Sequence, residues 1–141
     1  MVRSVLFVCN MNSVRSPMAA AILGKNAAGA MSVDSAGVYE GGPDPFIPRV
    51  LSEIGVDLGD YEPKALDDVE TSQFDRLIAL TPEAAQELRR LAPHDRVEYW
   101  PIDNPTDVRG GRDALLEAYR AVRDDLAARI RAQFPEMPQK P

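Results

Sequence analysis

The chain has 141 residues, of which 45% are hydrophobic and 27% are charged, and its net charge at pH 7 is −6. These values fit one soluble globular domain and argue against binding to nucleic acid or to anionic membranes. No apolar run is long enough to span a bilayer and the N-terminus lacks a signal-peptide layout, so the cytoplasm is the expected location. The single cysteine, Cys9, excludes an internal disulfide and a cysteine-rich zinc site.

The first half of the chain predicts a strand, a helix, a second strand and a short helix. Ser4–Cys9 reads SVLFVC, a branched apolar run typical of a strand buried on both faces in a parallel sheet. A helix should follow, with Ser16 as its N-cap and Pro17 in the first helical position. AMSVDSAGV predicts a weaker strand that ends at Gly37, and FIPRVLSEIGVDL predicts a helix that stops at Gly55.

The second half repeats this alternation. Arg76–Leu80 is predicted to be a strand, followed by Thr81 as the N-cap of a helix that begins at Pro82. RVEYW predicts a fourth strand, and PIDNPTDVRGGR predicts a long polar loop. The last helix is expected from about Asp113 to Phe134, because apolar residues recur there at three- and four-residue steps. They are Leu115, Tyr119, Val122, Leu126 and Ile130.

Strands that alternate with helices predict an α/β domain with a parallel sheet. We expect a single domain over residues 1–134 and a flexible tail at residues 135–141. Ligands of such sheets bind at the carboxyl ends of the strands. Cys9 lies at one such end, and Asp103 follows another.

The loop after the first strand has the composition of an anion site. Cys9 and Arg15 are separated by NMNSV, and Ser16 follows. A loop of this length can turn backbone N–H groups toward a common centre, where a helix N-terminus favours a phosphate-like anion and a thiolate. The guanidinium of Arg15 can bind two oxygens of the anion, and Asn12 is suited to hold the loop open. The alternative is an ordinary buried thiol, since a cysteine at the end of an apolar strand is usually a small core residue.

The segment VLFVCNMNSVRSPMA resembles the phosphate loop of the low-molecular-weight protein tyrosine phosphatases. It is also similar to that of their relatives, the thioredoxin-type arsenate reductases and the bacterial arginine phosphatases. VDSAG, GVDL, FDRLIALT and the region around Trp100–Pro105 extend the resemblance over nearly the whole chain. The resemblance implies a three-layer sandwich with a four-stranded parallel sheet flanked by helices. It further implies a cysteinyl-phosphate intermediate and no metal or organic cofactor.

By position, the resemblance assigns roles to the loop residues. Cys9 would be the nucleophile, Arg15 the phosphate clamp, Asn12 the loop organiser and Ser16 the donor of a hydrogen bond to the thiolate. The implied ligands are a phosphorylated protein or small phosphomonoester and a phosphate or arsenate oxyanion. The implied phosphate-binding set is Asn10, Met11, Asn12, Ser13, Val14, Arg15 and Ser16.

Two loop residues depart from the family pattern. Met11 stands where the family has glycine, which either strains the backbone or narrows the rim of the pocket. Val14 replaces the second loop cysteine, so we expect peroxide to inactivate Cys9 through sulfenic acid and mixed disulfides. The same absence excludes the three-cysteine arsenate reductase relay but leaves open a reductase that uses an external thiol.

The general acid is the third departure. The family places an aspartate before proline on the loop that follows the fourth strand. In this chain that loop, called the late loop, is PIDNPTDVRGGR; Asn104 precedes Pro105 and Asp103 lies one position earlier. An amide cannot protonate a leaving oxygen. Asp103 is therefore the predicted acid, with Asp107 as a more distant substitute, and a turn-forming role for Asp103 is the alternative.

The late loop also lacks the aromatic wall of tyrosine-specific members, because Thr106 and Asp107 follow Pro105. Tyr39, Tyr61 and Trp100 are candidates for a replacement wall or for ordinary packing. Ser13 resembles the arsenate reductases at its position. The sequence thus predicts a phosphomonoester hydrolase, with a single-cysteine arsenate reductase and a phosphate-binding module without turnover as the alternatives.

Overall fold

Strands and helices alternate through the chain as the sequence predicts. The computed structural model describes residues 2–12, 14–39, 41–59 and 61–135. The elements are β1 (Ser4–Cys9), α1 (Arg15–Ala27), β2 (Ser32–Gly37), α2 (Phe46–Ser52), β3 (Arg76–Ala79), α3 (Pro82–Leu91), β4 (Val97–Tyr99) and α4 (Arg112–Gln133). Short 3₁₀ helices lie at Leu66–Asp68, Thr71–Gln73, His94–Arg96 and Pro105–Asp107.

The four strands form one parallel sheet in the order β2-β1-β3-β4. The chain moves from β1 to β2 in one direction across the sheet and from β3 to β4 in the other. Because crossovers between parallel strands are right-handed, α1 and α3 cover opposite faces of the sheet. Side chains of β1 alternate accordingly: Val5, Phe7 and Cys9 belong to the core with α1, α2 and α4, and Leu6 and Val8 to the core with α3. The predicted three-layer α/β sandwich is confirmed.

Two predicted helix details are wrong. The first helix begins at Arg15, with Val14 as N-cap, so Ser16 lies inside its first turn. The hydroxyl of Ser16 is occupied elsewhere, as described below, and is therefore not a cap. In α4 the buried face includes Leu116 rather than Leu115, which is only half-buried.

Other boundaries agree closely with the sequence. Thr81 caps α3 by accepting a hydrogen bond from the backbone N–H of Ala84 at 3.1 Å. β3 ends at Ala79, one residue earlier than expected. Most of the predicted tail, residues 136–141, lies outside the described residues. Within the described ranges, no helix combines the length and the apolar character needed to cross a membrane.

Candidate active site

The loop between β1 and α1 is held by buried polar side chains. Asn12 is fully buried and has a positive φ of 52°. Its amide nitrogen donates to Ser16 Oγ at 2.8 Å, and its Oδ1 accepts from the backbone N–H of Lys64 at 2.9 Å. A buried amide with both ends bonded fixes the course of the loop, because breaking either contact would leave a polar group unpaired.

Ser16 links the loop to the sulfur. Its Oγ lies 3.0 Å from Cys9 Sγ and 3.3 Å from the carbonyl oxygen of Ala36. Because Asn12 donates to Ser16, the single hydroxyl proton of Ser16 is free to point to one of the other two atoms. When Cys9 is a thiolate, which can only accept, the proton points to the sulfur. A hydroxyl donor thus lies within hydrogen-bonding distance of the Cys9 sulfur.

Gly37, at the end of β2, lets the loop approach the sheet. A Cβ at this position would lie 2.5 Å from the carbonyl oxygen of Tyr39, 2.6 Å from the nitrogen of Asn12 and 2.7 Å from the carbonyl carbon of Met11. No side chain fits there without moving the loop. In the sequence Gly37 indicates the end of a strand, and a glycine in that position is also a signal of close backbone approach.

Arg15 begins α1 and joins the two loops that face each other across the site. Its Nη1 donates to the carbonyl oxygen of Ile102 at 3.1 Å. Val14, the N-cap, makes no side-chain capping bond. The first N–H groups of α1 thus need another acceptor, and the helix N-terminus carries partial positive charge. A guanidinium and a helix N-terminus at one place suit a bound oxyanion.

A cavity of about 290 Å³ opens in front of Cys9. Three loops contribute to its wall: the loop after β1, the loop before α2 and the late loop. The lining residues are Cys9, Met11, Val14, Arg15, Gly42, Pro43, Asp44, Pro45, Asn104 and Thr106. Met11 does not have a positive φ, so the backbone strain expected from losing the glycine is not seen there. The residue is 47% exposed and lines the cavity, and a narrowed rim stays a prediction.

The structure does not bring all the predicted site residues to this cavity. Asp103 is exposed and does not line it, whereas Asn104 does. The side chain of Asn104 accepts from the N–H and the hydroxyl of Thr106 at 3.1 and 2.8 Å, so it also shapes the turn. Asn10 Oδ1 instead accepts from the hydroxyl of Thr81 at 2.6 Å. Ser13 lies outside the described residues.

None of the three aromatic candidates for a replacement wall lines the cavity. Tyr39 is exposed, and Trp100 is buried against Phe7, with the ring centroids 5.8 Å apart. The hydroxyl of Tyr61 is buried without a hydrogen-bond partner among the described residues. Burial raises the pKa of Tyr61, and negative charge at Cys9 raises it further. Tyr61 is thus a neutral phenol within electrostatic reach of Cys9.

Asp44 is the residue that the sequence analysis missed. It lines the cavity from the loop before α2 and accepts two hydrogen bonds. The N–H of Phe46 donates to Oδ1 at 2.8 Å, and the hydroxyl of Tyr119 donates to Oδ2 at 2.6 Å. Burial, and then the bond to Asp44, raise the pKa of Tyr119. The local signal was PDP, an Asx-Pro turn sequence, but nothing local connects it with α4.

The comparisons with known proteins agree with this geometry. The family model described as low molecular weight phosphotyrosine protein phosphatase matches residues 4–140. The chain belongs to this family. Among curated relatives, it is 28% identical to the arsenate reductase of Bacillus licheniformis over 129 residues, which cover 92% of this chain and 93% of that protein. It is 26% identical to the arsenate reductase of Bacillus subtilis over 132 residues, or 94% of each chain.

Solved structures of family members share the fold. The low molecular weight protein tyrosine phosphatase from T. tengcongensis has a TM-score of 0.80 at 23% identity, with coverage of 95% of this chain and 99% of that one. The tyrosine phosphatase AmsI of Erwinia amylovora has a TM-score of 0.81 at 22% identity, covering 99% and 95%. An arsenate reductase in the phosphate binding state has a TM-score of 0.76 at 23% identity, covering 96% and 98%. The family and fold that the sequence indicated are confirmed.

Proposed function

We propose that this chain hydrolyses phosphomonoesters through a phosphocysteine formed on Cys9. The observation that carries the proposal is the position of the Cys9 sulfur, 3.0 Å from a serine hydroxyl and in the wall of a cavity that Arg15 also lines. A buried cysteine of the core would need neither a hydrogen-bond donor nor a neighbouring guanidinium. Membership of a phosphatase family supports the same chemistry.

The proposed reaction has two displacement steps. The Cys9 thiolate attacks phosphorus, and the equatorial oxygens are bound by the guanidinium of Arg15 and by backbone N–H groups of the loop from Asn10 to Ser16. Water then attacks the phosphocysteine, and the sulfur leaves as a thiolate that the Ser16 hydroxyl stabilises. Asn12 holds the loop in the form that both steps need.

The substrate class is a phosphorylated protein or a small phosphomonoester, and inorganic phosphate or arsenate should bind at the same place. Tyrosine-specific recognition lacks support from the cavity wall, because no aromatic residue is among the described residues that line it. The cytoplasmic location and the exclusion of nucleic acid and membrane stay predictions of the composition.

A single-cysteine arsenate reductase is the second candidate, since several curated relatives carry that name. Cys9 is the chain's one cysteine. Such a reaction would therefore need an external thiol, which attacks the arsenylated Cys9 sulfur; a mixed disulfide forms, the S–As bond breaks and arsenic leaves reduced, as arsenite. The anion site would be the same in both reactions. Oxidation of the thiol that depends on arsenate would favour this candidate.

The first test is a rapid-mixing assay with 4-nitrophenyl phosphate. We expect a burst of nitrophenol followed by slower turnover, as phosphocysteine accumulates. Cys9→Ser should abolish both phases, a loss of at least about 10⁴-fold in kcat, while still binding inorganic phosphate. Absence of turnover in the wild type, with phosphate binding intact, would contradict the proposal and favour a binding module.

A further inference from the structure

The late loop does not present an acid to the cavity. Asn104 lines it, but an amide has no acidic proton to give to a leaving oxygen. Asp103 is exposed and is not part of the wall. Asp107 is likewise exposed and lies outside the lining. A phosphomonoester with a poor leaving group nevertheless needs a proton donor.

Asp44 is the one carboxylic acid among the described residues that line the cavity. It reaches the same space as Cys9 from a different loop, together with its neighbours Pro43 and Pro45. A carboxyl group that lines the same cavity as a cysteine and a guanidinium is a candidate for proton transfer to a leaving group.

Two contacts hold the Asp44 carboxyl in place. The N–H of Phe46 fixes Oδ1 at the start of α2, and the Tyr119 hydroxyl fixes Oδ2 from α4. Tyr119 is itself buried and packs edge-on against the ring of Phe46, with centroids 5.2 Å apart. Each carboxyl oxygen has a second lone pair. The group can thus carry a proton toward the cavity while both contacts persist.

We propose that Asp44 is the general acid, and then the general base, of the reaction. This role rests on the phosphatase function proposed above. As the Cys9 sulfur forms its bond to phosphorus, the bond from phosphorus to the leaving oxygen breaks, and that oxygen takes the proton of Asp44. In the second step the Asp44 carboxylate takes a proton from the attacking water. The S–P bond then breaks, its electron pair returns to sulfur, and phosphate leaves with Asp44 protonated again.

In this assignment Asp44 supplies the proton that the leaving oxygen needs. Arg15 offsets the charge of the phosphoryl group itself, so the two residues act on different parts of the substrate.

The experiment compares two leaving groups in matched variants of the full chain. Nitrophenol leaves with little help from an acid, whereas phenol needs a proton. We expect Asp44→Asn to lower kcat for phenyl phosphate by about 10²–10³-fold and kcat for 4-nitrophenyl phosphate by less than about tenfold. Asp103→Asn is the control and should leave both within about twofold, as for a surface substitution outside the site.

Asp44→Ser guards against a folding artefact, because serine keeps an acceptor for the Phe46 N–H. Its kcat should likewise fall far more for phenyl phosphate than for 4-nitrophenyl phosphate, and its affinity for inorganic phosphate should be unchanged. Three results would overturn the role of Asp44 but not the phosphatase function. They are an equal loss of kcat on both substrates in the Asp44 variants, no loss on either substrate, and a selective loss on phenyl phosphate in Asp103→Asn instead. A wild-type protein that hydrolyses neither ester would overturn the phosphatase function and this role with it.

Discussion

The loop after β1 and the loop after β4 lie on two sides of one cavity, yet they are built differently. In the first loop, the buried side chains of Asn12 and Ser16 bond to distant segments, at Lys64 and Ala36. The second begins with the buried Trp100 and Ile102, but the described side-chain bonds of Asn104 stay within its own turn. The course of the first loop is therefore tied to the core, whereas residue 104 can change without disturbing it.

This contrast explains how a chain can keep its phosphate loop while the late loop departs from the family pattern. A buried network loses stability when any member is removed. An exposed turn tolerates substitution, since the solvent satisfies its polar groups. The proton donor can then be supplied by another loop that reaches the same cavity, as we propose for Asp44.

The strongest test of the contrast is Asn12→Ala. It removes two buried hydrogen bonds and places alanine at a positive φ, so we expect the free energy of unfolding to fall by about 3–5 kcal/mol. Turnover of 4-nitrophenyl phosphate should fall at least about 10²-fold, because the loop donors lose their positions. Urea unfolding and steady-state kinetics measure the two effects.

Asn12→Gly is the matched control for that variant. Glycine tolerates the positive φ but makes neither hydrogen bond, so it should be more stable than the alanine variant by about 1 kcal/mol. A phosphate affinity that stays within about twofold of wild type in both variants would show that the buried network does not shape the anion site.

Asn104→Asp tests the late loop, and we expect a smaller change in turnover than for Asn12→Ala. Aspartate can accept from the Thr106 N–H as asparagine does, so the turn should persist. The new carboxyl adds a second donor to the cavity wall, and kcat for phenyl phosphate should rise by up to about tenfold. Asn104→Ala controls for loss of the turn contact. An unchanged kcat for Asn104→Asp, with stability also unchanged, would place residue 104 away from the leaving group.

The smallest expected effect concerns the pairing of α2 with α4, the two helices that hold Asp44. Hydrogen bonds from Arg120, and then from Arg123, lower the pKa of Glu53 to about 2 from an ordinary value of 4.5. Because the folded-state pKa is the lower one, this stabilisation is present above about pH 4.5 and is lost as the pH falls toward about 2. In Glu53→Gln the free energy of unfolding should therefore fall less steeply as the pH is lowered, while turnover at neutral pH should be unchanged.

Urea unfolding midpoints measured between pH 5.5 and pH 2.5 provide the readout for Glu53→Gln. Glu117→Gln is the matched control, since Glu117 pairs with the same Arg120 from an exposed position three residues away. Exposed pairs of this kind contribute little. If the unfolding midpoints of wild type and Glu53→Gln depend on pH in the same way, the ion pairs of Glu53 do not make the stability of the protein depend on pH.

Local signals accounted for most of the fold. The apolar run of β1 and the Thr81-Pro82 helix start depend on neighbours in sequence, and both were predictable from the pattern. The roles that we propose for Cys9 and Arg15 rest on their spacing and on the resemblance to a known family. Ser16 has the sequence signal of a cap, but its hydroxyl binds Ala36 and Cys9. Tertiary contacts thus overrode a local preference.

The position of Asp44, the acid that we propose, could not be predicted in this way. Asp44 and Tyr119 are 75 positions apart, and their contact exists only once α4 has packed against α2. The sequence directed attention to Asp103 because it lies close to Pro105. Proximity along the chain did not bring its carboxyl into the cavity wall, where the course of the backbone places Asn104 instead.

The hydrogen bond from Arg15 to the carbonyl of Ile102 has a practical use. The chain's single tryptophan, Trp100, lies two residues before that carbonyl and is buried against Phe7 on the central strand. An oxyanion bound by Arg15, as proposed, would compete with this carbonyl for the guanidinium. We therefore expect occupancy of the site to change the emission of this indole, which would make the protein its own optical reporter.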